Sequence, residues 1–137
     1  IHSENFQALN LLQERYREQV KCVYIDPPYN IDGDGFCYKD AYRHSTWATM
    51  INDRMLRCLD FLKITSAIFS SIDEVEQPLL RNILDNIIGT ENFLSDVVWA
   101  AGRKNDSRFI SISHEYIIAY AKNKKYLSHS PINCPET

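Results

Sequence analysis

Four consecutive residues, Asp26-Pro27-Pro28-Tyr29, combine a carboxylate, two rigid backbone positions and an aromatic ring. Each proline ring fixes its own φ angle, and Pro27 also restrains the residue before it, so the Asp26 carboxylate and the nearby carbonyl oxygens keep one orientation. Because prolines have no N–H group, the turn offers hydrogen-bond acceptors without competing donors. A fixed set of acceptors suits the binding of an amino group through both of its hydrogens.

The chemistry that such a turn favours is transfer to an exocyclic amino group. The lone pair of adenine N6 is delocalised into the ring, which makes this nitrogen a poor nucleophile. If the Asp26 side chain and the Pro27 carbonyl accept its two hydrogens, the nitrogen becomes more pyramidal and can attack an electrophilic methyl group. Tyr29 would stack on the base, which must leave the duplex to react, and such stacking contributes about 1–3 kcal/mol. The plainer alternative is that the prolines only end a strand and that Tyr29 belongs to the core.

The turn follows VKCVYID (residues 20–26), which predicts a strand buried on both faces of a parallel sheet, with Asp26 as its last residue. In open parallel sheets, ligands bind beyond the carboxyl ends of the strands, so the turn lies where a site is expected. Residues 27–45 are rich in turn formers and are too many for an ordinary connection. They predict a functional loop.

The remaining sequence alternates between helical and extended patterns. In chain order, the predicted elements are a helix over 4–18 capped by Ser3, the strand 20–26, a helix from 45 or 46 to about 63, a strand 66–72, a helix capped by Asp73 that ends at Gly89, and strands 96–101 and 115–121. This alternation predicts an α/β fold, in which helices cover a parallel sheet on both sides through right-handed crossovers. The last two strands have no helix between them, so we expect an antiparallel pair at the sheet edge.

The composition is that of one globular domain, since 137 residues with 45% hydrophobic content can bury a core. A net charge of -3 gives no general sign of a polyanion-binding protein, so any DNA-binding surface is local. No apolar run approaches the ~20 residues that cross a membrane, and no signal peptide is visible. We expect residues 1–126 to be globular and residues 127–137 to be a linker or disordered tail. The chain begins at Ile1 without a methionine, and we expect a fragment or a processed form.

Four cysteines are spread without metal or redox spacing, which predicts reduced and mostly buried thiols in a cytosolic protein. They are Cys22, Cys37, Cys58 and Cys134. Acidic residues cluster at Asp73, Glu74 and Glu76, and we interpret them as helix caps and dipole partners rather than metal ligands. Methyl transfer needs no metal, and we predict none.

Two basic loops are candidates for DNA contact. The first contains Lys39, Arg43 and His44 among aromatic residues, a combination that suits phosphates and an unstacked nucleotide. The second contains Arg103 and Lys104 and could meet backbone phosphate. A loop that is merely solvated is the alternative in each case.

Five stretches occur in an order that is far more specific than one tetrapeptide. They are SENFQALNLL, YIDPPYN with the following DGDGFCYKDAYRHSTW, IFSSIDEVE, GTENFLSDVVW and HEYIIAYAKNK. Over essentially residues 1–126, the sequence resembles the β-class amino methyltransferases, and most closely the modification (Mod) subunit of type III restriction-modification systems. The resemblance implies a partial Rossmann-like sheet of an S-adenosylmethionine-dependent DNA adenine-N6 methyltransferase, which acts on double-stranded DNA with a flipped adenine.

The resemblance also implies roles for individual residues. Asp26, Pro27, Pro28 and Tyr29 would form the catalytic motif, and Glu4, Asn5, Asp26 and Asn30 would bind the cofactor. The turn Ser3-Glu4-Asn5 takes the place of a Gly-Asp-Asn-like motif near the adenosine part, and Ile31-Asp32 stand where the family usually has Thr-Gly. His114 and Glu115 match a family motif beside the catalytic turn, although a structural histidine at a strand start is an equally good interpretation.

The family places a target-recognition region and a glycine-rich Phe-x-Gly-x-Gly turn after the half that contains DPPY, and these 137 residues contain no such turn. By resemblance, the chain holds the target-base half of the active site, lacks most of the cofactor half, and is expected to be inactive alone. The resemblance also implies a Mod homodimer, a restriction subunit as partner and a location in the bacterial cytoplasm. Two alternatives stay open: a nucleic-acid-binding or assembly module without catalysis, and methylation of cytosine N4.

Overall fold

Helices and strands alternate along most of the chain in the computed structural model, which describes residues 4–28, 43–100 and 114–127. The elements are α1 (Asn5–Tyr16), β1 (Val20–Ile25), α2 (Arg43–Phe61), β2 (Leu62–Ile72), α3 (Gln77–Ile88), a 3-10 turn (Thr90–Asn92), β3 (Phe93–Ala100) and β4 (His114–Ala121). The predicted domain boundary at residue 126 stays a prediction, because residues 128–137 lie outside the described ranges.

The described strands form one sheet in the order β1-β2-β4-β3. β1 and β2 are parallel, whereas β4 is antiparallel to both of its neighbours. The α/β fold and the antiparallel pair at the sheet edge are therefore confirmed. Because β1, β2 and β3 run in the same direction, their carboxyl ends and the start of β4 lie at one edge of the sheet, which we call the carboxyl edge.

Two amphipathic helices, α2 and α3, cover one face of the sheet. Their apolar stripes share a single core with the side chains of β2 and β4 that point the same way. The fully or almost fully buried members are Trp47, Ile51, Met55, Leu80, Leu84, Ile68, Ile72, Ile118 and Tyr120. At the far end of this core, the Tyr120 hydroxyl donates to Asp85 Oδ1 at 2.6 Å. Burial and this hydrogen bond both raise the pKa of Tyr120.

The prediction that β1 is buried on both faces was wrong for the described part of the chain. Val23 and Ile25 pack against the core, but Tyr24, which alternates with them, is 59% exposed. Trp99 of β3 is 61% exposed on the same side of the sheet. Since neighbouring side chains of a strand point to opposite faces, helices on one side can bury only half of them. The expected cover on both faces is thus not found among the described residues.

The cap of α1 also differs from the prediction. Glu4, not Ser3, is the N-cap residue, and its Oε2 accepts from the amides of Phe6 at 2.8 Å and Gln7 at 3.3 Å. The helix then packs on α2, where Gln13 donates to the Asp60 carboxylate. A longer carboxylate side chain thus reaches the orphan amides of the first turn that a serine was expected to satisfy.

Local signals placed the other boundaries to within a few residues. Asp73 was predicted to cap α3 but lies before the N-cap residue Glu76, whose amide donates to Asp73 Oδ1 at 3.1 Å. Gly89 ends the helix as predicted, with φ at 99°. β2 begins at Leu62, four residues before the predicted start of 66, because pairing with β1 extends the strand.

Two of the four cysteines lie in the described ranges, and they do not support mostly buried thiols. Cys22 is exposed on β1, and only Cys58 on α2 is partly buried. Burial raises the pKa of the Cys58 thiol. Within the described ranges, no helix is both long enough and apolar enough to cross a membrane.

Candidate active site

The turn 26–28 lies at the carboxyl edge, directly after β1. Parallel pairing sets Ile25 beside Ser70, so Asp26 comes next to the following residue of β2. Ser71 Oγ donates to Asp26 Oδ1 at 2.7 Å, and Ser71 is only 7% exposed. This hydrogen bond fixes one carboxylate oxygen to β2, a central strand of the sheet.

A second side chain holds the turn from the helical side. Trp47 of α2 is fully buried, and its indole Nε1 donates to the Pro28 carbonyl at 2.8 Å. Among the described residues, no group donates to Asp26 Oδ2 or to the Pro27 carbonyl. Two acceptors of the turn are thus engaged by side chains of β2 and α2.

Asp26 borders two clefts. The first, which we call the helix cleft, measures about 420 Å³ and lies between α1, α2 and the turn 26–28. The second, the strand cleft, measures about 260 Å³ and lies at the carboxyl edge beside β2, β3 and β4. A carboxylate between two separate binding spaces suits transfer of a group from a ligand in one cleft to a ligand in the other.

The helix cleft brings together two of the predicted cofactor residues, Asn5 and Asp26. It also contains Arg54, which sequence analysis missed and whose guanidinium pairs with Glu4. Glu4 therefore reaches the cleft only through Arg54. Desolvation raises the pKa of the Glu4 carboxyl, but hydrogen bonds from Arg54 and from the helix amides outweigh it, so the pKa lies below its usual value.

Aromatic rings and hydrogen-bonding groups line the strand cleft. Its residues are Tyr24, Asp26, Ser71, Trp99, Glu115, Tyr116 and Ile117. The rings of His114 and Tyr116 meet edge to face, with their centroids 5.1 Å apart, and the Tyr116 hydroxyl lies 3.0 Å from His114 Nε2. Aromatic faces beside a carboxylate suit a planar ring that carries an amino group.

Several predicted site residues lie outside the described ranges. They are Tyr29, Asn30, Lys39, Arg103 and Lys104. Arg43 is the first residue of α2. The His44 side chain is 69% exposed, and its Nδ1 lies 2.7 Å from Oε1 of the buried Glu76, so this histidine joins α2 to the start of α3. Its predicted DNA contact remains a prediction.

The sequence carried only weak signals for the residues that it missed. Trp47 falls on the apolar stripe of α2 and was therefore interpreted as core alone. Ser71 is the next-to-last residue of a predicted strand, a position that marks it as near a site without indicating its partner. Arg54 lies in the same helical segment as Trp47, where the sequence pattern does not distinguish it from an ordinary charged surface residue.

Comparison with known proteins places these features in a family. The sequence pattern of the family described as DNA methylase matches residues 20–136. The Mod subunit of the type III restriction-modification enzyme EcoP15I from Escherichia coli is 32% identical over an alignment of 157 positions, which covers 93% of this chain and 24% of that subunit. The chain thus spans about a quarter of the length of this relative.

Two solved structures share the fold. TTHA0409, a putative DNA modification methylase from Thermus thermophilus complexed with S-adenosyl-L-methionine, superposes with a TM-score of 0.67 at 13% identity, over 94% of this chain and 55% of that one. PvuII DNA methyltransferase, which is cytosine-N4-specific, gives a TM-score of 0.63 at 13% identity, over 85% and 47%. At this identity the likeness shows the fold alone.

Proposed function

This chain belongs to the DNA methylase family, and we propose that it is the target-base half of an S-adenosylmethionine-dependent DNA adenine-N6 methyltransferase, the modification subunit of a type III restriction-modification system. The observation that carries the proposal is the position of Asp26 between the helix cleft and the strand cleft. The likeness to the EcoP15I Mod subunit supports the type III assignment.

In this proposal, the strand cleft receives the flipped adenine, and the turn 26–28 holds its amino group. Asp26 and the Pro27 carbonyl accept the two N6 hydrogens, because Ser71 and Trp47 already engage the neighbouring acceptors. Tyr29 stacks on the base. When both hydrogens are held, the N6 lone pair is less delocalised and is directed at the methyl group. As the N–C bond forms, the bond between that methyl group and the cofactor sulfur would break, the cofactor would leave as a thioether, and the nitrogen would release one proton to solvent.

The residues of the helix cleft fit the proposed cofactor. About 420 Å³ is room for a large part of a nucleoside-sized ligand. Asn5 offers amide donors and acceptors, and Arg54 would offer guanidinium N–H donors to a polar group of the ligand. S-adenosylmethionine supplies an activated methyl group when bound. In our proposal, Glu4 supports these cofactor-binding residues by pairing with Arg54, and Asn30 is a further cofactor-binding residue.

The substrate would be double-stranded DNA with a flipped adenine, and the two basic loops would contact its phosphates. Arg43 and His44, which lie at the start of α2, would contribute to the first of these contacts. The proposal also includes a Mod homodimer, a restriction subunit as partner and a location in the bacterial cytoplasm. The globular part would end near residue 126.

Cytosine-N4 methylation is the second candidate, since PvuII methyltransferase shares the fold and the exocyclic amino chemistry is the same. Digesting modified DNA to nucleosides and identifying the methylated base distinguishes the two. N4-methylcytosine in the digest would replace the adenine assignment.

The test of the catalytic assignment is Asp26→Ala in the full-length protein. We expect methylation to fall below detection while the fold stays intact, because Asp26 is exposed and buries little apolar surface. Loss of the acceptor for the Ser71 hydroxyl should cost about 1 kcal/mol. Asp53→Ala is the matched control, since it removes another exposed aspartate, on α2. Full methylation by Asp26→Ala would disprove the role of the turn. A full-length protein that modifies no base and does not bind the cofactor in calorimetry would instead be a non-catalytic binding module.

A further inference from the structure

We propose that Ser71 is a positioning residue for methyl transfer, which acts by fixing the Asp26 carboxylate through a hydrogen bond to Oδ1. The inference rests on the proposed function, in which Asp26 holds the amino group of the target base. In this inference, the geometry of the site depends on β2 as well as on the turn that contains Asp26.

Asp26 needs such support because its carboxylate is exposed at the end of β1. The terminal torsion of an aspartate is broad, so an unsupported carboxylate would sample many orientations. A hydroxyl has one hydrogen to donate, and Asp26 Oδ1 at 2.7 Å is a much closer acceptor for Ser71 Oγ than the Ile25 carbonyl at 3.5 Å. A charged acceptor also makes the stronger hydrogen bond. The hydroxyl is therefore committed to the carboxylate.

The donor itself is held rigidly. Ser71 is only 7% exposed and lies in β2, which is paired with β1 on one side and β4 on the other. Opposite Ser71 in β4 is Ile117, which also borders the strand cleft. A side chain on a paired central strand keeps its position better than one on a loop. The hydrogen bond from Ser71 thus restrains the orientation of the exposed carboxylate relative to the sheet.

The preceding residue provides a matched control. Ser70 is the same residue type on the same strand and is fully buried, but alternation turns it toward the core face. Its hydroxyl lies 3.4 Å from the Ser71 carbonyl and has no contact with Asp26. Removing the Ser70 hydroxyl changes a buried strand serine without touching the carboxylate.

The experiment measures how well the full-length protein distinguishes adenine from purine at the target position of its DNA. Purine lacks the 6-amino group, so the ratio of the two dissociation constants reports the amino-group contact without any methyl transfer. We expect the wild type to prefer adenine by about 10-fold, as for a hydrogen bond to a charged group. Ser71→Ala should reduce this preference to about 2-fold or less. Ser71→Thr, which keeps the hydroxyl, and Ser70→Ala should retain it.

A single-turnover methylation assay gives the second readout. Ser71→Ala should lower the rate constant by about 10-fold to 100-fold, with cofactor affinity unchanged, because a misplaced carboxylate affects orientation rather than cofactor binding. Ser71→Cys has nearly the same volume and a weak donor, and should show the same loss if the alanine variant is unstable. If Ser71→Ala weakens binding to adenine DNA and to purine DNA equally, the role of Ser71 is merely structural and the inference is overturned.

Asp26→Ala separates failure of the inference from failure of the proposed function. If it abolishes the adenine preference while Ser71→Ala leaves that preference intact, Asp26 holds the amino group without Ser71 and only the inference is wrong. If Asp26→Ala keeps the preference, or the wild type has none, the role proposed for Asp26 is wrong.

Discussion

Trp47→Phe tests whether the turn 26–28 is held from the helical side. The substitution keeps an aromatic ring in the core but removes the indole N–H that donates to the Pro28 carbonyl at 2.8 Å. Loss of this hydrogen bond should cost about 1 kcal/mol. Because Trp47 is fully buried, the smaller ring also leaves unfilled space, which should cost about 1–2 kcal/mol more. The expected loss of unfolding free energy is therefore about 2–3 kcal/mol.

The effect on the site separates this prediction from simple loss of packing. Without the indole donor, the Pro28 carbonyl is free to turn, and the acceptors of the turn lose their alignment. We expect the single-turnover methylation rate of the full-length protein to fall about 10-fold, since small errors of alignment are costly in group transfer. Urea unfolding followed by circular dichroism measures the first quantity, and a filter assay with labelled cofactor measures the second.

Ile68→Val is the matched control for Trp47→Phe. Ile68 lies on β2 in the same core, is fully buried and loses one methylene in this change, at a cost of about 1 kcal/mol. It lines neither the helix cleft nor the strand cleft, so its methylation rate should match the wild type. If both variants are destabilised and both keep the full rate, the indole hydrogen bond does not position the turn and the reasoning is refuted.

Two further predictions concern helix ends. Because the folded-state pKa of Glu4 lies below its usual value of 4.5, its charge stabilises the fold above that value, and this contribution disappears as the pH falls through the folded-state pKa. The stability advantage of the wild type over Glu4→Gln in urea unfolding should thus be full at about pH 7 and should shrink as the pH falls below 4.5, and an advantage that does not change with pH would contradict the assigned cap. Gly89→Ala should destabilise the protein by about 1–3 kcal/mol, because φ of 99° is strained for any residue with a side chain. Asn86→Ala, at an exposed position of α3, should be nearly neutral in the same measurement, and a neutral Gly89→Ala would refute the strain argument.

Local sequence patterns determined most of the secondary structure. Apolar periodicity placed α2 and α3, and runs of β-branched residues placed the strands, because each signal depends only on near neighbours in the chain. The predictions were wrong where contacts with distant residues determine the structure. β2 starts at Leu62 because it pairs with β1, and Tyr24 of β1 is exposed because α2 and α3, among the described helices, pack on the opposite face. The cap of α1 was misplaced because Glu4 has both the reach to the first-turn amides and a partner in Arg54.

The sequence by itself determined the chemical character of the site, since rigid acceptors in Asp26-Pro27-Pro28 follow from covalent structure alone. Only the tertiary structure decided which acceptors remain for a ligand. Ser71 and Trp47 are 45 and 19 residues from their partners in the turn, and nothing in a local pattern pairs them. Alternation showed that Ser70 and Ser71 face opposite sides, but only sheet register placed Ser71 beside the carboxylate. Side-chain partners across a fold are set by the packing of whole elements, which is why they could not be predicted from the residues that carry the chemistry.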